Sequence, residues 1–150
     1  MAEVSGREEL YPHLRDEPPA PSATVLVRGG PDTISLIRSH ARRTHRLYCL
    51  DGAPLWGISV FGVLDQEGPA SRDGLLAGRL VSYEQVHSPS VGVLVDAGFA
   101  LLPSFRRPHF TIRIEDDSSA EAARLLDLLG PAEENPYNHE VRLRRTEGRQ

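Results

Sequence analysis

The chain has no lysine: all 17 of its basic residues are arginine. Schiff-base and ε-amino relay chemistry is thereby excluded, while each arginine offers a planar fork suited to phosphate or carboxylate. There is one cysteine, Cys49, so no internal disulfide and no cysteine-built zinc site is expected. Between Tyr48 and Leu50 it reads as a small apolar residue. No apolar run approaches the roughly 18 to 20 residues of a membrane helix, and the N-terminal stretch is acidic and proline-rich without an apolar signal core. A cytoplasmic protein with no membrane partner is the expectation. The histidines (His13, His40, His45, His87, His109 and His139) form neither an HExxH motif nor a tight cluster, so no metal is expected. "GISVF" lacks the GxSxG pattern of a nucleophile elbow. Aromatic residues do not interleave with the arginines, which argues against a single-strand stacking platform.

What is present suits one globular domain: 150 residues, 39% hydrophobic and 25% charged. Residues 1–22 read as a flexible N-terminal arm and 131–150 as a polar C-terminal tail. In that tail "HEVRLRR" alternates like a short edge strand, with Val141 and Leu143 on one face. The core, 23–130, alternates strand and helix signals. "ATVLVRG", "LWGISVFGVLD", "ALLPSF" and "HFTIRIED" are β-rich. Helices are expected over "DTISLIRSHARRTHRLY" with Asp32 as N-cap, over "SPSVGVLVDAGF" from Ser88, and over "SSAEAARLLDLLGP" from Ser118 or Ser119. "GLLAGRLVSYEQV" holds a short helix or strand leading into Tyr83. The mixture of hairpin and crossover connections predicts an α+β fold: a single mixed or antiparallel sheet with helices packed against it.

Chemistry concentrates at "RGGPDT". A helix N-terminus has unpaired N–H groups and partial positive charge. Gly29 and Gly30 would let a ligand approach the backbone, and Arg28 would add a full charge. The spacing is neither a Walker loop nor a dinucleotide fingerprint, but a phosphate or pyrophosphate cradle is expected. The alternative is a tight turn needing φ > 0, with Arg28 exposed. The following helix, 33–48, is basic. Arg38, Arg42 and Arg46 share a face flanked by Arg43, and five arginines from Arg28 to Arg46 meet a single aspartate. Such segregation suits nucleic acid or an acidic partner; the other reading is a solvated face paired with acids elsewhere. His109, after two arginines and a proline, and His87, near Tyr83 and Glu84, are candidate acid–base groups. Asp116 and Asp117 end a strand and read as caps for the next helix.

In succession, "TVLVRGG", "LWGISVF" and "SYEQV" resemble the core motifs of ADP-ribosyltransferases over residues 24–87. The resemblance implies NAD as substrate, gripped by Arg28 with Gly29 and Gly30. It implies Ser59 and Trp56 lining the nicotinamide site and Glu84 stabilising an oxocarbenium-like transition state. "GISV" lacks the family's Ser-Thr-Ser pattern, and "YEQ" departs from its acidic spacing. The chain as a whole also looks like a toxin of bacterial toxin–antitoxin modules, which implies an acidic antitoxin partner. Two other functions stay open: a metal-independent ribonuclease using His109 or His87 with Arg106 and Arg107, and a non-catalytic module docking through the basic helix.

Overall fold

A computed structural model describes residues 6–10 and 24–138. The architecture is α+β, as expected. Strands β2 (Leu26–Gly30), β5 (Trp56–Gly62), β6 (Gln85–His87), β7 (Ala100–Pro103), β8 (His109–Ile114) and β9 (Glu133–Glu134) form one sheet in the order β7-β8-β5-β2-β6-β9. Each neighbouring pair in it is antiparallel. A second, small sheet joins β1 (Glu8–Glu9), β3 (Tyr48–Leu50) and β4 (Ala53–Pro54). Its outer strand falls in the stretch read as a free arm, and the next residue, Leu10, is buried. Cys49 is buried there too, and its thiol donates to the Glu9 carboxylate at 3.1 Å. Burial, and then that carboxylate, push the thiol's pKa up.

The alternation of side chains along the strands divides the core in two. Leu26, Ile58, Val60, Phe110 and Ile112 face α1 (Ile34–Leu47) and α4 (Ser119–Leu129), meeting Ile37, Ala41, Ala122 and Leu125. Val27 points the other way and packs with Val86 on Leu75 and Leu76 of α2 (Arg72–Ala77) and on Leu80. Coverage on both faces explains why "VLV" is continuously apolar rather than alternating. Helix α3 (Val91–Asp96) adds Leu94 to the first cluster.

Two caps differ from expectation. Thr33, not Asp32, caps α1 by accepting the Leu36 N–H, because the Asp32 carboxylate is engaged by Arg28. Ser90, not Ser88, caps α3, while the Ser88 hydroxyl accepts from Arg72 at 2.6 Å. Ser118 caps α4 as read. The fold also continues past Gly130: Asn135 is buried and donates to the carbonyls of Leu76 and Leu80. The expected edge strand at "HEVRLRR" lies outside the described residues.

Candidate functional site

Strand β2 changes partner along its length. Leu26 and Val27 pair with Gly62 and Phe61 of β5; Arg28, Gly29 and Gly30 pair instead with His87, Val86 and Gln85 of β6. Beyond Val27, then, β2 and β5 part, and Arg28 stands at the fork. Its Nη1 donates to the Ser59 carbonyl at 2.7 Å, bridging the gap the ladder leaves.

The rest of the guanidinium is also engaged. Nε and Nη2 donate to the two oxygens of Asp32 at 2.5 and 3.3 Å, and Nη2 donates to His40 Nδ1 at 2.6 Å. Four of its five N–H groups are therefore used, and the Arg28 and Asp32 side chains are only 5% and 3% exposed. The Asp32 N–H donates to His87 Nε2 at 3.0 Å, and His87 Nδ1 donates to the Gly130 carbonyl at 2.8 Å. Arg28 is thus a strut closing a fork, and the sequence expectation of an open anion grip is corrected. The glycines are corrected as well. A Cβ on Gly29 would stand 2.5 Å from three ring carbons of Tyr83, and one on Gly30 would stand 2.7 Å from the His87 ring. Close approach is what both positions require, but it is by side chains of the protein itself, and neither glycine has a positive φ.

Around this fork lies a cleft of about 470 Å³. One face of α1 lines it: Leu36, His40, Arg43 and Thr44, at successive helical turns. Tyr48, Phe61, Tyr83 and Phe105 give it aromatic walls. Phe105 meets Tyr48 edge-on at 4.8 Å. The loop bearing Tyr83 is tied down by the carboxy-terminal segment: the Asn135 N–H donates to the Glu84 carbonyl and Asn138 Nδ2 to that of Val81. Arg43 is exposed, and among the described residues it has neither a hydrogen bond nor an ion pair. His40 is different. A guanidinium can only donate, so Nδ1 accepts and the ring proton sits on Nε2. Loss of water around the ring, then the Arg28 charge, lower its pKa below the ordinary imidazole value against the opposing pull of Asp32. At neutral pH it offers the cleft an uncharged N–H donor.

Comparison with family models, curated proteins and solved structures finds no match for this chain.

The other residues singled out from sequence scatter. Ser59 lines the cleft with Arg28, Gly29 and Gly30. Glu84 follows Tyr83 and is exposed but is not in the lining. His109 sits behind the aromatic wall, edge-on to Phe61 and Phe105 at 5.4 and 4.9 Å, with Nδ1 2.8 Å from the Ser104 hydroxyl. Trp56 stacks on His45 at 3.8 Å, outside the cleft lining. The basic helix divides its arginines. Arg38 donates to the Asp117 carbonyl and Arg42 to its carboxylate, both at the start of α4. Arg43 turns to the cleft, and Arg46 stays exposed. Arg106 is exposed, and Arg107 holds both oxygens of Asp65 at 3.1 and 3.2 Å. Asp116 accepts the Ser118 N–H. Among the described residues no group of three or more potential ligands could hold a metal ion.

Sequence reasoning missed His40, Tyr48, Tyr83 and Phe105 as site residues and gave Arg43 a different role. For the α1 residues a signal existed. The stripe Leu36-His40-Arg43-Thr44 repeats at helical spacing, distinct from the buried stripe Ile37-Ala41. Tyr83 and Phe105 reach the cleft from loops and carry no such periodicity.

Proposed function

We propose that the cleft is a nucleotide pocket and that the chain is a cytoplasmic, NAD-consuming protein of the ADP-ribosyltransferase-like kind. The observation that carries this reading is the combination in one cavity of aromatic walls, Arg43 without a partner among the described residues, and the uncharged donor His40. Its volume lies within the range of small-molecule sites, which are mostly apolar with a few placed polar groups. A flat base or nicotinamide stacks on Tyr83 or against Tyr48 and Phe105. A phosphate goes to Arg43, and His40 Nε2 donates to a phosphate or carboxamide oxygen. Arg28 keeps the fork open and in register, a different task from gripping phosphate. Asp32, the carboxylate in the cleft lining, is neutralised by Arg28. Glu84, the charge-stabilising group of the resemblance, follows Tyr83 but is outside the cleft lining, so the reading rests on binding in the cleft and not on a placed catalytic carboxylate.

The geometry favours this over the alternatives. A ribonuclease using His109 or His87 needs a histidine that can take a proton in the cleft, yet His87 has both nitrogens engaged and His109 is outside the cleft lining. A polyanion-binding helix loses Arg38 and Arg42 to Asp117. Calorimetric titration with NAD tests the reading. Saturable binding at one site is expected, weakened about tenfold by Arg43→Ala through loss of one charge-assisted bond. An absence of heat at millimolar NAD would refute it.

A further inference from the structure

No residue of the N-terminal segment 6–10 lines the cleft, yet the segment is bonded to the backbone behind two of its walls. Leu10 is 1% exposed, although it belongs to neither core cluster. Its N–H donates to the Cys49 carbonyl at 2.9 Å, and its carbonyl accepts the Phe105 N–H at 3.0 Å. One residue thus ties β3, which starts at Tyr48, to the loop that carries Phe105. Those two rings meet edge-on in the cleft wall. Glu9 holds the same region: its carboxylate accepts the Cys49 thiol and the N–H groups of Asp51 and Gly52, at 3.1, 2.9 and 3.0 Å. Arg7 adds a bond from Nε to the His45 carbonyl at 2.7 Å, near the end of α1. Among the described residues only Asp51 and Phe105 combine a side chain with a positive φ, 51° and 60°. That conformation is costly for residues other than glycine and persists where neighbours hold it. Both N–H groups are held by the segment, Asp51 by Glu9 and Phe105 by Leu10.

The segment's own anchorage is slight. It enters only the small sheet, as the outer strand β1 of two residues, and that sheet is separate from the six-stranded one. Segments with few apolar contacts and short ladders open at lower cost than the core. We infer that Glu9 and Leu10 are positioning residues for the cleft: docked, the segment builds the wall of Tyr48 and Phe105, and it undocks as a unit without unfolding the core. Phe105 then leaves its strained conformation and the wall comes apart. Undocking belongs to the free chain and does not depend on which ligand the cleft takes. A ligand that packs on Phe105 holds the segment down, and release of the segment weakens that ligand by the same factor.

Native-state hydrogen exchange of the full chain in low urea tests this, with Cys49, the single cysteine, as a second probe. Both acceptors of its thiol, the Glu8 carbonyl and the Glu9 carboxylate, belong to the segment, so undocking frees it for a thiol reagent. The Leu10, Asp51, Gly52 and Phe105 amides and the Cys49 thiol are expected to share one opening constant. It should exceed that of the β5–β8 ladder by at least about a hundredfold and vary little with urea, since little surface is exposed. Glu9→Gln, on an exposed side chain, should raise all five about tenfold, because an uncharged acceptor is weaker. Leu10→Met, which keeps the apolar bulk, should leave them near wild type. Exchange of the five only through global unfolding, with the urea slope of the ladder, would make the segment part of the core and overturn the inference. Glu9→Gln without effect on any of the five would overturn it too. So would a Glu9→Gln variant in which Leu10 and Cys49 open more readily while Phe105 stays as protected as before, since the wall would then stand without the segment.

Discussion

Arg28 and Asp32 are a nearly buried ion pair, and the surroundings complete it: a carbonyl from Ser59, an imidazole from His40 and, on the Asp32 backbone, His87. Pairs of this kind contribute little net stability when intact but are costly to break, because one charge is left buried alone. Asp32→Asn is therefore expected to destabilise the fold by about 3–5 kcal/mol, read as a lower urea midpoint with an unchanged slope; a midpoint equal to wild type would show the pair to be open to water. His40 gives a pH signature. Its pKa is lower in the folded chain than the ordinary 6.5, so the unfolded chain binds the proton more readily. The stability this represents is complete above about pH 6.5 and is lost as pH falls through the folded value. The lowered carboxylates Glu9, Asp65, Asp116 and Asp117 act below the ordinary carboxylate values of 4.5 and 3.8 and so outside this window. Between about pH 7 and about pH 5 the melting temperature of wild type should fall more than that of His40→Gln, whose carbonyl still accepts from Arg28. Parallel curves would remove His40 from the network.

At the scale of elements, α1 does three jobs with three faces. Ile37 and Ala41 enter the core, Arg38 and Arg42 clamp the start of α4 through Asp117, and Leu36, His40, Arg43 and Thr44 line the cleft. The faces predict separable effects. Arg38→Ala with Arg42→Ala should leave NAD affinity within about twofold of wild type, while Arg43→Ala weakens it about tenfold; equal losses would mean that the helix acts as one undivided basic surface. The sequence made the helix and its charge legible, since both follow from local spacing. It did not make the division of labour legible, because that depends on which loops approach each face. The reading of "RGG" went astray for the same reason. Glycine next to arginine reports a close approach, but whether by a ligand or by Tyr83 and His87 is decided by residues more than fifty positions away.

For the molecule as a whole, the α+β class and the main strands were readable because "VLV", "ISVF" and "FTIRI" carry strong β patterns. The sheet of β1, β3 and β4 was not, since strands of two or three residues have no period to detect. Nor was the carboxy-terminal segment, where polar residues such as Asn135 are buried because they bind backbone carbonyls of α2 and the turn after it rather than water. Among the described residues no helix is long and apolar enough to cross a membrane. The cleft itself exists because β2 leaves β5 for β6 after Val27. That exchange is a property of long-range pairing, which no local pattern records. Backbone amide NMR during titration with NAD tests this account most directly. The account predicts that the shifts concentrate at Gly29, Gly30, His40, Arg43, Ser59 and Tyr83, with the exposed outer face of α4 unmoved. Saturating shifts on α4 or around Trp56 that spare the fork, or no shifts at all, would contradict it.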